Sequence, residues 1–233
     1  SGNDAMIWVC RAIAPALLVL ALMFSGAPAL ADFAAGRAAY EQGDFRTARE
    51  QWKALAEAGD ATSQAALGSL YIHGEGVPAD YQKALKWTRL AAEQGDITGQ
   101  FNMGSIYAGG LGVEPDYAEA AYWFRLAGEQ YDSMSRYNLA ILYSRGLGVE
   151  RDDGEAVFLL NTTAIIAGTP EIGLNELAGN AEQLALNLMM TMNQEDIQEA
   201  HERSKEFEAE YLKYYMEFYF SRKRASENAS EEP

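Results

Sequence analysis

Two histidines, one cysteine and a surplus of carboxylates are the residues whose types could do chemistry. His73 and His201 have no Cys, His or carboxylate at a metal-ligand spacing, and His201-Glu202 lacks the second histidine of a zinc-protease helix. Turn and surface roles account for both. No Gly-x-Ser-x-Gly or Ser-x-x-Lys supplies a serine nucleophile. Met189, Met190 and Met192 could offer soft metal ligands, but thioethers at this spacing read as helix-core filling. The glycine pairs Gly74/Gly76, Gly110/Gly112 and Gly146/Gly148 could cradle phosphate, yet none is followed by Lys-Ser or Lys-Thr, so they read as turns. Carboxylates are too numerous for proximity in sequence to nominate a dyad. The expectation is a chain with no catalytic residue, no metal and no cofactor.

The net charge of −16 repels nucleic acid and anionic lipid, which excludes a nucleic-acid role. The basic cluster Arg222, Lys223, Arg224 is followed at once by the acidic stretch from Ser226 to Pro233. At the other end, residues 1–31 read as an extension plus a signal peptide. Met6 is the expected start, Arg11 the basic region and Ala12 to Phe24 the apolar core. That core is shorter than the roughly 18 to 20 residues that span a bilayer. Ala29-Leu30-Ala31 fits signal-peptidase cleavage after Ala31, leaving no stable membrane anchor and a periplasmic or secreted product. Cys10 departs with the leader, so the exported chain has no thiol for disulfide, metal or nucleophile chemistry.

A period of 36 residues organises the middle. Residues 61–96 and 97–132 align without a gap and share 18 of 36 positions, and a third copy fills 133–168. Tyr71, Tyr107 and Tyr143 correspond, as do the glycine pairs and then Asp80, Asp116 and Asp152. Ala84, Ala120 and Ala156 follow, with Trp87 and Trp123 matched by Leu159. Such a period means a solenoid. In each copy a first helix stops at Gly-x-Gly, whose permissive backbone reverses the chain, and the Asp caps a second helix. Alanines let the pair approach closely, and each Trp is expected to fill the gap between successive hairpins.

Leu67-Gly-Ser-Leu-Tyr-Ile-His-Gly-Glu-Gly-Val77, then Asp80, Ala84, Trp87, Ala91-Ala92 and Gly95, resembles the Sel1-like repeat pattern, a relative of the tetratricopeptide repeat. The resemblance covers residues 33–168. Its third copy departs, with Ala140 for the helix glycine, Asp153 for Tyr and Leu159 for Trp. The implied fold is all-α, an α/α superhelical solenoid of helix hairpins.

Residues 32–60 resemble a tetratricopeptide-type hairpin with a shorter connection, capping the N-terminal end. Thr169-Pro170-Glu171 predicts a helix start, with a buried stripe of Leu174, Leu177, Ala178, Ala181, Leu184, Ala185 and Leu188. Asn193 predicts the cap of a last helix, whose stripe is Ile197, Ala200, Ser204, Phe207, Tyr211, Tyr214 and Phe218. Residues 169–220 are therefore capping helices, with 221–233 a disordered acidic tail. The aromatic run Tyr211 to Phe220 is wider than one stripe and divides between core and an exposed partner surface.

In helix-hairpin solenoids of this kind the first helices line the concave face. By register the groove positions are Ala65/Phe101/Tyr137, Ala66/Asn102/Asn138, Ser69/Ser105/Ile141 and His73/Gly109/Arg145. Phe101 and Tyr137 beside the amides of Asn102 and Asn138 suit an extended peptide, although inter-repeat packing explains the aromatics equally well. The resemblance implies a scaffold binding a protein or peptide partner in the cell envelope. Proteins similar to it include regulators of a membrane sensor kinase and scaffolds for envelope or exopolysaccharide assembly. The alternatives it leaves are a β-lactamase-like enzyme of cell-wall chemistry and a receptor for peptidoglycan fragments.

Overall fold

A computed structural model describes residues 32–230 except 171, with side chains from 32 to 217. The leader, its cleavage site after Ala31, Cys10, Glu171, residues 231–233 and the side chains of Phe218 to Phe220 lie outside the described residues. Within them the chain is all-α: α1 (Phe33–Glu41), α2 (Phe45–Glu57), α3 (Ala61–His73), α4 (Tyr81–Glu93), α5 (Ile97–Gly109), α6 (Tyr117–Glu129), α7 (Ser133–Arg145), α8 (Asp153–Ala167), α9 (Asn175–Met189) and α10 (Gln194–Ser230). Helices pair as α1/α2, α3/α4, α5/α6 and α7/α8. Each second helix packs on the first helix of the next pair, giving an α/α superhelix.

Asp starts every one of the first eight helices. Asp80 Oδ1 accepts from Lys83 N, Asp116 Oδ1 from Glu119 N and Asp152 Oδ1 from Glu155 N, as the repeat predicts. Asp60, Asp96 and Asp132 cap the first helices in the same way. Each such cap satisfies an otherwise orphaned N–H. Gly74, Gly110 and Gly146 end α3, α5 and α7 in the left-handed conformation, at φ of 71°, 64° and 63°. The loop then closes by a backbone bond from each Asp N–H to the Tyr carbonyl, as from Asp80 to Tyr71 at 3.0 Å.

The second glycine of each pair needs a correction, because it is more than a turn residue. Gly76, Gly112 and Gly148 are exposed and left-handed, at φ of 68°, 75° and 68°. Yet each backbone rests directly on the preceding hairpin. A Cβ on Gly76 would strike Phe45, one on Gly112 would strike Tyr81, and one on Gly148 would run into the Tyr117 backbone. Gly76 and Gly148 are thus contact points between hairpins as well as chain reversals. At Gly112 the contact is also a hydrogen bond, with Gln82 Nε2 donating to its carbonyl at 2.8 Å.

Within a hairpin, a small residue of the first helix faces a larger one of the second. A Cβ on Gly36 would collide with the Trp52 ring, one on Gly68 with Thr88, and one on Gly104 with the Phe124 ring. The equivalent third-copy pair is Ala140 with Leu160, both buried. This corrects the expected core position. Phe124, 3% exposed, fills the space inside the α5/α6 hairpin, while Trp123 is half-buried and set edge-on to Tyr122. Trp87 is likewise half-buried, packing against the core formed by Ala48, Trp52, Ala56, Leu67 and Leu70, with Lys86 Nζ 5.0 Å from its ring centre.

Polar bonds recur at fixed register within and between hairpins. Inside a hairpin, Gln94 Nε2 donates to Gln64 Oε1 at 2.7 Å and Gln130 Nε2 to Gln100 Oε1 at 2.8 Å. Between successive hairpins, Gln64 Nε2 donates to Ala56 O at 3.0 Å and Gln130 Nε2 to Gly95 O at 3.1 Å. Arg89 donates to the Tyr107 hydroxyl and Arg125 to that of Tyr143. Where the third copy should carry the next glutamine it has Arg136. Its guanidinium, 8% exposed, donates to Gly128 O and Thr162 Oγ1 and lies 4.4 Å from the Phe207 ring centre. Burial pushes its pKa down to about 10. Tyr131 stands where earlier copies have Gly59 and Gly95, and keeps their left-handed backbone at φ 67°. Its ring meets Phe207, Tyr211 and Tyr214, the last stacked at 4.8 Å. Arg203 of α10 completes the joint, paired with Glu155 at 2.7 Å and lying over Phe158.

Three expectations about the C-terminal part need correction. The helix predicted to start at Thr169-Pro170 begins at Asn175 instead. The Thr169 hydroxyl bonds back to Ile165 O and meets the Tyr211 hydroxyl, so it caps nothing, and a turn through Gly173 at φ 68° precedes α9. Leu174 is consequently exposed, although Ala178, Ala181 and Ala185 are buried as the stripe requires. The region 221–230, read as disordered, continues α10, since no Gly or Pro interrupts it before Ser230. Asn193 does cap α10, accepting from Asp196 N at 2.9 Å.

Phe124→Ala is expected to lose about 3 to 5 kcal/mol in urea unfolding, and Trp123→Ala clearly less. Equal losses would return Trp123 to the core. Phe207→Ala should cost about 3 kcal/mol and speed amide exchange along residues 197–214 while α3 to α6 keep their protection.

Candidate functional site

The predicted groove positions do not share one environment. Ala65 is buried, and Asn102 is 6% exposed with its Nδ2 donating to Ser69 Oγ at 2.8 Å. The reading of Asn102 as a groove amide is therefore corrected. The argument that a buried amide needs a partner holds, but the partner is the preceding repeat, because α3 and α5 lie side by side. The hydroxyls of Ser69 and Ser105 bond to carbonyls one turn back, on Ala65 and Phe101. Phe101 is half-buried and packs on Phe124 with ring centres 6.0 Å apart. Packing inside its own hairpin is the role this contact shows. Asn138 is half-buried, and His73 and Gly109 are exposed.

Three predicted positions do come together. Tyr137, Ile141 and Arg145, with Ser144, form one wall of a cavity of about 290 Å³. The other wall is Asn180, Gln183, Leu184 and Asn187 of α9. The two walls stand apart because α9 packs on α8 and touches α7 only lightly. Tyr137 and Ile141 are half-buried and Arg145 is exposed at the last position of α7. The α9 wall was missed because residues 169–220 were read only as a cap. Its signal was present: Asn180, Gln183 and Asn187 fall on one helical face.

A larger cleft of about 590 Å³ lies where α8 and α10 begin. Most of its charges are spent internally. Arg151 pairs with Asp153 at 2.8 Å and Arg203 with Glu155, Asp152 caps α8, and Asp196 accepts from Asn193. Pairing with Asp153 raises the Arg151 pKa. This cleft is the joint holding α10. Among the described residues no cluster of three or more His, Cys, Asp or Glu is arranged to hold a metal ion, and no helix is long and apolar enough to cross a membrane.

The Sel1 repeat family matches residues 61–96, 97–132 and 133–164. Residues 61–164 are three Sel1 repeats. No curated protein sequence matches the chain significantly. Among solved structures, the Sel1 array and its flanks are similar to a protective antigen present in uropathogenic Escherichia coli strains, described as displaying an SLR fold. That match has 30% identity and a TM-score of 0.61 over 70% of this chain and 33% of the other. A Sel1 repeat protein from Oxalobacter formigenes matches at 27% identity and a TM-score of 0.56, over 64% of this chain and 63% of that one. The chain thus spans about a third of the first protein and less than two thirds of the second. Sel1 repeats generally mediate protein–protein interaction, and their fold is typically a non-catalytic scaffold.

Asn102→Ala should lower stability by about 1 to 3 kcal/mol, as for other broken buried hydrogen bonds, and leave partner binding unchanged. Unchanged stability with lost binding would place Asn102 in the groove after all.

Proposed function

We infer that this chain is an exported scaffold of the bacterial envelope that seats a segment of a partner protein between α7 and α9. The observation carrying this reading is the convergence of Tyr137, Ile141 and Arg145 with the α9 amides around one open cavity. It supplies an aromatic wall, hydrogen-bonding groups and a cation, the mixture that protein recognition sites use. The Sel1 array supports the reading from the other side, since its repeats are interaction modules. The signal-type sequence before Asp32 supports export. Binding to a preformed groove demands little ordering of the host, because adjacent repeats pack rigidly. Regulation of a sensor kinase and assembly of envelope or exopolysaccharide machinery are the processes that the partner's identity would separate.

A photo-crosslinking residue placed at Tyr137 in living cells tests this directly. The expected result is a discrete protein adduct in the envelope fraction, absent when the same residue replaces Lys86 on the second-helix side, with the mature chain beginning at Asp32. Equal adducts at both sites, or a chain retained in the cytoplasm, would refute the scaffold site or its location respectively.

A further inference from the structure

Resting on the groove reading above, we propose that the occupant is an extended peptide segment whose Asp or Glu side chain pairs with Arg145. The first support is charge. In a chain of net charge −16, the α7–α9 cavity is lined by no carboxylate, and Arg145 is its one charged side chain. Arg151 and Arg203, which line the larger cleft, are each paired with a carboxylate of that cleft. Arg145 has no ion pair among the described residues and is exposed at the open end of the groove. At this register the earlier copies carry His73 and Gly109, so the guanidinium belongs to the third repeat alone. An Arg fork matches a carboxylate in two parallel hydrogen bonds, which gives direction as well as attraction.

The second support is spacing. Tyr137, Ile141 and Arg145 follow one another at four-residue steps on α7, which a helix converts to about 6 Å per step. An extended peptide advances about 6.6 Å over two residues and points alternate side chains to the same face. Three alternate side chains of the guest therefore meet Tyr137, Ile141 and Arg145 in turn, giving an apolar, any, apolar, any, acidic pattern in one direction or its reverse. The opposite wall suits the guest's main chain. Asn180, Gln183 and Asn187 offer amide donors and acceptors along α9, and a peptide held between helices has backbone groups that need such partners. Gln183 Nε2 already donates to Asn187 Oδ1 at 3.2 Å, an exposed bond that a guest carbonyl can replace.

Random peptide display selected on the full chain tests the proposal, with Arg145→Glu and Tyr137→Ala beside the wild type. Circular dichroism confirms that each is folded. Enriched peptides should carry Asp or Glu two positions from an apolar residue and four from another. A synthetic peptide of the enriched sequence should bind Arg145→Glu about tenfold or more weakly at low salt, the scale of a lost charge-assisted bond. Replacing its acidic residue with Lys should restore binding to Arg145→Glu. Peptides that lose binding with Tyr137→Ala but ignore Arg145→Glu would overturn the carboxylate pairing and leave the groove standing. Binding indifferent to both variants, or no enrichment on the wild type, would overturn the groove as well.

Discussion

The close approach of the two helices in each hairpin is the constraint on which the rest of the molecule depends. Gly36, Gly68 and Gly104 have no side chain because Trp52, Thr88 and Phe124 occupy the space where one would be. Interiors are packed to near-crystalline density, so one added methyl at such a contact forces helices apart. The pair also fixes where the loop must begin and end. Only then can Asp80 reach Tyr71 across the turn, and only then do Gly76, Gly112 and Gly148 come to rest on the preceding hairpin. The regular stacking of α3 to α8 follows from repeating that one geometry.

The junction of the second and third repeats shows how a periodic structure is ended. It retains the backbone of its predecessors while exchanging side chains at the points that α10 touches. Tyr131 accepts a left-handed backbone that glycine holds elsewhere, a conformation that is costly for a bulky residue. Arg136 gives up the amide partner that Gln64 and Gln100 enjoy and is buried with no carboxylate in contact among the described residues. Both meet Phe207. Backbone strain and a desolvated cation persist where surrounding contacts over-determine them, and here those contacts are the rings of α10.

Much of the fold was legible because repetition averages over individual residues. Three aligned copies made the glycines, tyrosines and capping aspartates visible, and their geometry depends on local backbone chemistry that any one copy states in full. What Gly76 and Gly148 touch was not legible, since the neighbour lies in another repeat. The core aromatic was less legible too. Trp87 and Trp123 recur and Phe124 does not, yet Phe124 faces Gly104 while the tryptophans lie toward the surface. Recurrence marks the shared architecture, whereas the interior of one hairpin is filled by whatever suits its own glycine or alanine. The candidate site was half visible for a similar reason. Its α7 wall lies in the repeat register, but its α9 wall lies outside it, so no other copy pointed to Asn180, Gln183 and Asn187, which share only a helical face. Asn102 shares the register of Asn138 but is enclosed by a neighbouring helix.

The arginine–tyrosine bonds that join successive hairpins span 18 residues each, whereas the contacts of α10 with α8 reach back 43 to 48 residues. Short-range contacts close with little loss of chain entropy, and long-range ones close later. During synthesis the repeats can therefore assemble in order as each emerges, while α10 must wait until its own residues have followed them. Until it docks, Tyr131, Phe158 and the Arg136 guanidinium stay open to solvent. An array without α10 presents that aromatic face to its surroundings, so docking of this helix is what closes the C-terminal side of the third repeat.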